Sequence, residues 1–180
     1  EYNGKLKKGI WKVPVPSLAL YGGTASTFSE RNPWKHPTVL RTGDLKTYVS
    51  DYTLSGESDH RGVIVDGFVF DRTPTNHYTT TGDLDYSNSP KMDFIWFADG
   101  EAIIRNNVFV NATERAIRAH TGHVYDNNII FNSHSMGMDV QRGKDETPVV
   151  ITNNTFAFSW WYKFGKGDAS TGYLLNVGTD

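Results

Sequence analysis

Trp96, Arg118 and Asp139 follow one another at intervals of 22 and 21 residues, and His120 and Gln141 repeat the second interval. A structural period of that length places the five side chains in two short rows on one surface. Their types suit an acidic sugar polymer. An indole stacks its apolar face on a sugar ring, a guanidinium grips a carboxylate in a two-pronged fork, and Asp or His moves protons. A lyase needs a base beside the uronate carboxylate and a cation to neutralise it, roles open to Arg118, His120 or Lys163. A hydrolase needs two carboxylates about 5 to 10 Å apart, for which Asp139 is well placed and Asp93 is a weaker companion. The catalytic candidates are therefore Arg118, His120 and Asp139. Trp96, Gln141, Trp160, Trp161, Tyr162 and Lys163 are the candidate substrate contacts. The bland interpretation is an ordinary cross-strand ion pair between Arg118 and Asp139 on a solvated sheet, with Trp96 covering its neighbours.

Other motifs carry less. His120-Thr-Gly-His123 has a metal-like spacing but no third ligand, and a solvated pair is the simpler reading. Gly82-Asp83-Leu84-Asp85 suggests a calcium loop, yet it lacks the glycine turn and distal glutamate of such a loop, so no cofactor is expected. Asn111-Ala-Thr113 and Asn153-Asn-Thr155 have the form of glycosylation sequons, the second expected to be blocked by its neighbours. Gly165-Lys-Gly-Asp168 lacks the strand-to-helix context of a phosphate loop. No Ser-His-Asp arrangement stands out among six histidines.

What must position the rows is a repeat. Val63–Asp71, Ile103–Asn111, Val124–Asn132 and Val150–Phe158 superpose without gaps as strand, Asn/Asp-Asn/Gly corner, strand, which sets Gly67 against Asn107. The corner recurs after 21 residues from Asn107 to Asn128 and after 26 from Asn128 to Asn154. A second column, residues 94–98, 116–120, 137–141 and 174–178, interleaves with the first. Two columns locked to one period predict a chain winding in coils, each adding a rung to parallel sheets. Alternation then puts Ile117 and Ala119 inside and Arg118 and His120 outside. Asparagine tolerates the left-handed corner, and its amide can bond to the asparagine one rung away, so Asn106, Asn127 and Asn153 are expected to form a ladder. Ordinary hairpin turns in a sandwich do not require two interleaved columns.

Composition agrees. At 180 residues the chain is one domain, with 13% aromatic residues, 17 glycines and no cysteine, so packing and hydrogen bonds must hold it. No apolar run approaches the roughly 18 residues of a membrane span. The net charge of −2 leaves no basic footprint for nucleic acid. Glu1 to Gly9 is a mixed-charge stretch rather than a signal peptide, as a mature or excised chain would also read. Within the single domain, residues 1–62 form opening coils and residues 63–180 regular coils. Insertions at 73–91 and 160–172 carry Tyr78, Tyr86, Trp160, Trp161, Tyr162 and Lys163 as groove walls.

The repeats resemble the right-handed parallel β-helix proteins of the pectate-lyase-like superfamily, with their Asn-Asn-x-Phe/Ile-x-Asn corners. The segment from Leu18 through Tyr21-Gly22-Gly23, Phe28-Ser29-Glu30-Arg31-Asn32-Pro33 and His36-Pro37-Thr38-Val39-Leu40, followed by Asp66-Gly67-Phe68, looks like the opening coils of secreted bacterial β-helix proteins. The resemblance implies an all-β, right-handed parallel β-helix of about six to eight coils, a portion of a longer helix, in a secreted or surface protein. The residue types of the face, rather than the resemblance, point to a polysaccharide partner, with a lyase favoured over a hydrolase if the protein is an enzyme. The superfamily's hydrolase signatures (Asn-Thr-Asp, Asp-Asp, Gly-His-Gly, Arg-Ile-Lys) and its epimerase Asp-Pro-His-Glu are absent. The alternative is a non-catalytic structural or adhesive module whose open ends stack into homo-oligomers or filaments.

Overall fold

A computed structural model describes residues 11–13, 16–41, 52–56, 61–85, 87–89, 93–97, 100–141, 147–159, 162–164, 168–170 and 173–177. Every regular element among them is a strand, and three strands make one coil. The first coil holds β1 (Trp11–Lys12), β2 (Ala19–Tyr21) and β3 (Thr38–Leu40). The second holds β4 (Tyr52–Gly56), β5 (Ile64–Asp66) and β6 (Phe68–Asp71), and the third β7 (Asp93–Phe97), β8 (Ile103–Arg105) and β9 (Val108–Val110). The fourth is β10 (Arg115–His120), β11 (Val124–Asp126) and β12 (Ile129–Ser133), and the fifth β13 (Met136–Gln141), β14 (Val150–Thr152) and β15 (Thr155–Ser159). An antiparallel hairpin, β16 (Tyr162–Phe164) and β17 (Asp168–Ser170), precedes β18 (Tyr173–Val177).

Equivalent strands of successive coils pair in parallel. The first sheet runs β1-β4-β7-β10-β13-β18, the second β2-β5-β8-β11-β14 and the third β3-β6-β9-β12-β15. The chain is thus an all-β parallel β-helix. The described residues hold five full coils and the opening strand of a sixth, fewer than the six to eight expected. The chain between β2 and β3, the chain between β6 and β7, and the β16–β17 hairpin use length that regular coils would have taken.

The core is a stack of like residues. Leu54, Ile95, Ile117 and Met138 are in register inside the first sheet, Val65, Ile104 and Tyr125 inside the second, and Phe70, Phe109 and Ile130 inside the third, all buried. The Phe70 and Phe109 rings stack 4.9 Å apart. Each such side chain contributes about 1.5 to 3 kcal/mol through burial.

The corners between the second and third sheets explain the asparagines. Asn106, Asn127 and Asn153 have φ of 55°, 51° and 54°, and Gly67 has 83°. Because Asp66 pairs with Arg105, Gly67 stands opposite Asn106, one residue away from the gapless superposition. The left-handed position decides the register, since glycine fills it without steric cost. Phe68 then takes the place of Asn107 and donates its N–H to Asn107 Oδ1 at 3.0 Å.

The unbroken ladder runs one position later than expected. Asn107 Nδ2 donates to Asn128 Oδ1 (3.1 Å) and Asn128 Nδ2 to Asn154 Oδ1 (2.9 Å). The same amides bond to the main chain, Asn107 to Val65 O, Asn128 to Ile104 O and Asn154 to Tyr125 O. Of the expected column, Asn127 Nδ2 reaches Asn106 Oδ1 (2.8 Å), but Asn153 Nδ2 turns to Asp126 Oδ1 (2.9 Å). The reason is that the left-handed residue points its side chain outward, toward neighbouring carboxylates, while the next residue points inward.

The segment between β2 and β3 is pinned by Arg31. Its guanidinium donates to Gly22 O (3.1 Å), Asp66 O (3.2 Å) and Asp66 Oδ1 (2.6 Å). A Cβ on Gly67 would lie 2.7 Å from Arg31 Nη2, which accounts for glycine there. Asp66 also accepts from Arg105 and Asn106, and although its burial acts in the other direction, these donors hold its carboxyl below the usual range.

Candidate functional site

The outer rows of the first sheet lie as the period predicts. Arg118 is in register with Trp96 and Asp139, Asp139 with Asn176, and His120 with Gln141. Trp96 Nε1 donates to His120 Nε2 at 2.9 Å, and the rings meet edge-on at 6.2 Å and 67°. His120 therefore presents an unprotonated Nε2 to the indole, which makes it a neutral imidazole in this arrangement. Asp139 is 6% exposed. Its Oδ1 accepts from Asn176 Nδ2 (2.8 Å), and its Oδ2 accepts from Arg115 Nη1 (3.2 Å) and Gln141 Nε2 (3.2 Å). A carboxylate engaged on both oxygens positions its neighbours better than it abstracts a proton.

Strict alternation hid the centre of this site. Phe94 and Ile95 are both buried, as are Thr53 and Leu54 one coil before and Ala116 and Ile117 one coil after. Two successive inward residues at the head of each strand return Asp93 and Arg115 to the same side as Trp96 and Arg118. Asp93 is 1% exposed and Arg115 contacts both of its oxygens, Nε lying 3.1 Å from Oδ1 and 3.2 Å from Oδ2. Arg118 Nε lies 3.3 Å from Asp93 Oδ2, and Arg115 Nη2 is 3.8 Å from Glu114 Oε2. Burial pushes the Asp93 carboxyl up to about 6, against the pull of Arg115 and Arg118.

Beneath the cluster lies Arg72, fully buried after β6. Its Nη2 donates to Thr53 Oγ1 (2.9 Å) and lies 3.4 Å from Asp93 O, and its guanidinium sits 5.1 Å over the Phe94 ring. Burial lowers it to about 10, opposed by Asp93 and Glu114. Arg72 and Arg115 were not singled out from the sequence. The available signal was an arginine at the strand head, three before Arg118, with Asp93 on the preceding rung.

The remaining candidates scatter. His120 and His123 do not share a site: His120 is on the outer face, whereas His123 is fully buried and accepts the Ala102 N–H through Nδ1 at 2.9 Å. Asp83 and Asp85 are engaged by separate turn partners, Asp83 by Thr81 Oγ1 and Asp85 by Asn88 Nδ2, so the loop does not converge on a cation. Asn111 Nδ2 donates to Thr73 Oγ1 (2.6 Å) and Thr113 is buried, whereas Asn153 and Thr155 of the second sequon are exposed. Tyr78 packs against His134 at 6.0 Å, at the corner leading into β13. Trp160, Trp161 and Tyr86 lie outside the described residues. Tyr162 and Lys163 fall on β16, and their side chains lie outside the described residues too.

Compared with known proteins, the chain matches no family model, no curated protein and no solved structure. Among the described residues, no helix is long and apolar enough to cross a membrane.

Proposed function

We propose that this chain engages acidic polysaccharide outside the cell, along the outer face of its first sheet, as a secreted or surface β-helix protein. The observation that carries the reading is the row Trp96, Arg118, Asp139 and Asn176, in register on successive coils beside Arg115 and His120. Rungs about 4.8 Å apart offer an elongated polymer a repeated set of contacts. Arg115 and Arg118 are each 22% exposed, enough for a guanidinium edge to meet a ligand carboxylate. The resemblance to the pectate-lyase-like superfamily supports the same reading. With Asp139 engaged on both oxygens and His120 Nε2 engaged by Trp96, the geometry favours binding. Lyase chemistry would require His120 to exchange its indole partner for substrate.

The test is incubation with pectin, alginate and glycosaminoglycan panels, read by binding and by the absorbance of unsaturated uronates. Binding lost in Arg118→Ala supports the reading, and product formation lost in the same variant extends it to a lyase. Uniform failure to bind rejects it.

A second reading, an assembling structural module, draws on Val150, Phe158, Leu175 and Val177, which are 41%, 64%, 40% and 60% exposed near the last described coil. Elongated particles growing with concentration, without glycan binding, favour this reading.

A further inference from the structure

A second, shorter ladder closes the corner at the far end of the third sheet, and its last step is filled by a phenylalanine. Asn132 stands opposite Asn111, because Phe131 pairs with Val110, and both asparagines are left-handed, with φ of 56° and 60°. Asn132 Nδ2 donates to Asn111 Oδ1, and Asn111 Nδ2 to Thr73 Oγ1. One coil on, Phe131 pairs with Ala157 and Ser133 with Ser159, so Phe158 stands opposite Asn132. It keeps the left-handed backbone, with φ of 56°, a conformation that strains a bulky residue and suits asparagine or glycine. The ladder stops there, and Asn132 Oδ1 accepts no hydrogen bond among the described residues. The Phe158 side chain is instead 64% exposed and lies against Phe131, itself 42% exposed. The two rings meet at 5.3 Å and 72°, so one forms a floor and the other a wall.

We propose that Phe131, Phe158 and Asn132 form a binding site for an uncharged pyranose ring, on the side of the β-helix and separate from the face of the first sheet. The apolar C–H face of a sugar stacks on a phenyl ring, and a hydroxyl at its rim donates to the open amide oxygen. The surroundings favour an uncharged ligand. On the coils before and after Phe131 the same row carries Val110 and Ala157, and the row beside it carries Val108, Ile129 and Thr155. None of these positions offers a cation to a carboxylate, and the carbonyl oxygen of Asn132 repels one. Size favours a sugar over a second copy of the chain. The exposed fractions of the two rings add up to about one whole side chain, on the order of 200 Å², whereas each partner in a stable protein interface gives about 800 Å². One or two sugar rings cover the smaller area. The strain at Phe158 then has a purpose: it sets a ring beside Phe131 where an asparagine would have closed the ladder.

The experiment is saturation-transfer NMR of the full chain, titrated with two uncharged hexaoses, cellohexaose and a galactan hexaose, and with an oligogalacturonate in parallel. The wild type is expected to bind an uncharged hexaose. Phe158→Asn supplies the missing donor to Asn132 Oδ1 and a residue suited to the left-handed corner, so it is expected to keep the fold and weaken that binding about tenfold. Phe131→Val copies Val110 from the coil before and leaves the corner untouched. It is expected to weaken the binding about threefold to tenfold. Oligogalacturonate binding is expected to be the same in both variants as in the wild type, so this site and the first-sheet face stand or fall separately. Failure of both uncharged hexaoses to bind the wild type overturns the site, as does undiminished binding in Phe131→Val or in folded Phe158→Asn. Particles that grow with concentration in the wild type but not in Phe131→Val, with no hexaose bound, overturn it in favour of a second copy.

Discussion

At the scale of single residues, Asp93 carries a consequence for stability. Its carboxyl is raised from an ordinary value of 3.8 to about 6 by burial, which its two arginine partners do not fully offset. As pH rises from about 4 through about 6, the unfolded chain gives up this proton before the folded chain does. Folding stability from this group is therefore complete below the lower value and falls as pH climbs to the upper one, by at most about 3 kcal/mol. Asp66 works in the opposite direction, since its carboxyl is held low and its contribution disappears on acidification. Urea midpoints for the wild type and Asp93→Asn, compared across that interval, should show the variant gaining on the wild type with rising pH. Parallel curves would show that the buried carboxyl does not titrate in the fold.

At the scale of elements, the corners distinguish two columns of asparagine that look alike in the sequence. Asn128 is fully buried and connects four groups, accepting from the N–H and amide of Asn107 and donating to Ile104 O and Asn154 Oδ1. Its neighbour Asn127 is exposed and gives one bond to Asn106. Asn128→Ala should cost about 3 kcal/mol or more, because it strands buried donors and acceptors, whereas Asn127→Ala should cost about 1 to 2, mainly from the left-handed backbone. Chemical denaturation of the two variants checks the difference, and equal losses would mean that the inner ladder is no stronger than the outer one. The period of the asparagines made the coils legible, since a spacing of 21 recurs in both columns. Which asparagine faces inward was not legible, because both are Asn and only the left-handed φ of the first turns the second into the core. Gly67 misled the alignment for the same reason: an Asp-Gly corner matches Asn-Asn by type at one offset and by backbone at another. The Asp93–Arg115 pair escaped notice because a strand head with two inward residues breaks the period of two on which the face was drawn.

At the scale of the whole molecule, every rung leans on its immediate neighbours, with sheet partners separated by 21 residues at Ile103 and Val124 and by 45 at Ala19 and Ile64. Such an architecture is close to one-dimensional, its stability a sum over rungs and the contacts between them. His123 Nδ1 takes the Ala102 N–H, and Asn128 takes the Asn107 N–H, so each coil closes polar groups left open by the one before. This stacking makes the molecule extensible by splicing. A second copy of residues 103–123 placed between His123 and Val124 would meet the same donors, the same apolar rows and the same left-handed corner as the original. The lengthened protein should still unfold in one transition, with a steeper dependence on urea because more surface opens at once. Two separate transitions would mean that the added storey fails to join its neighbours.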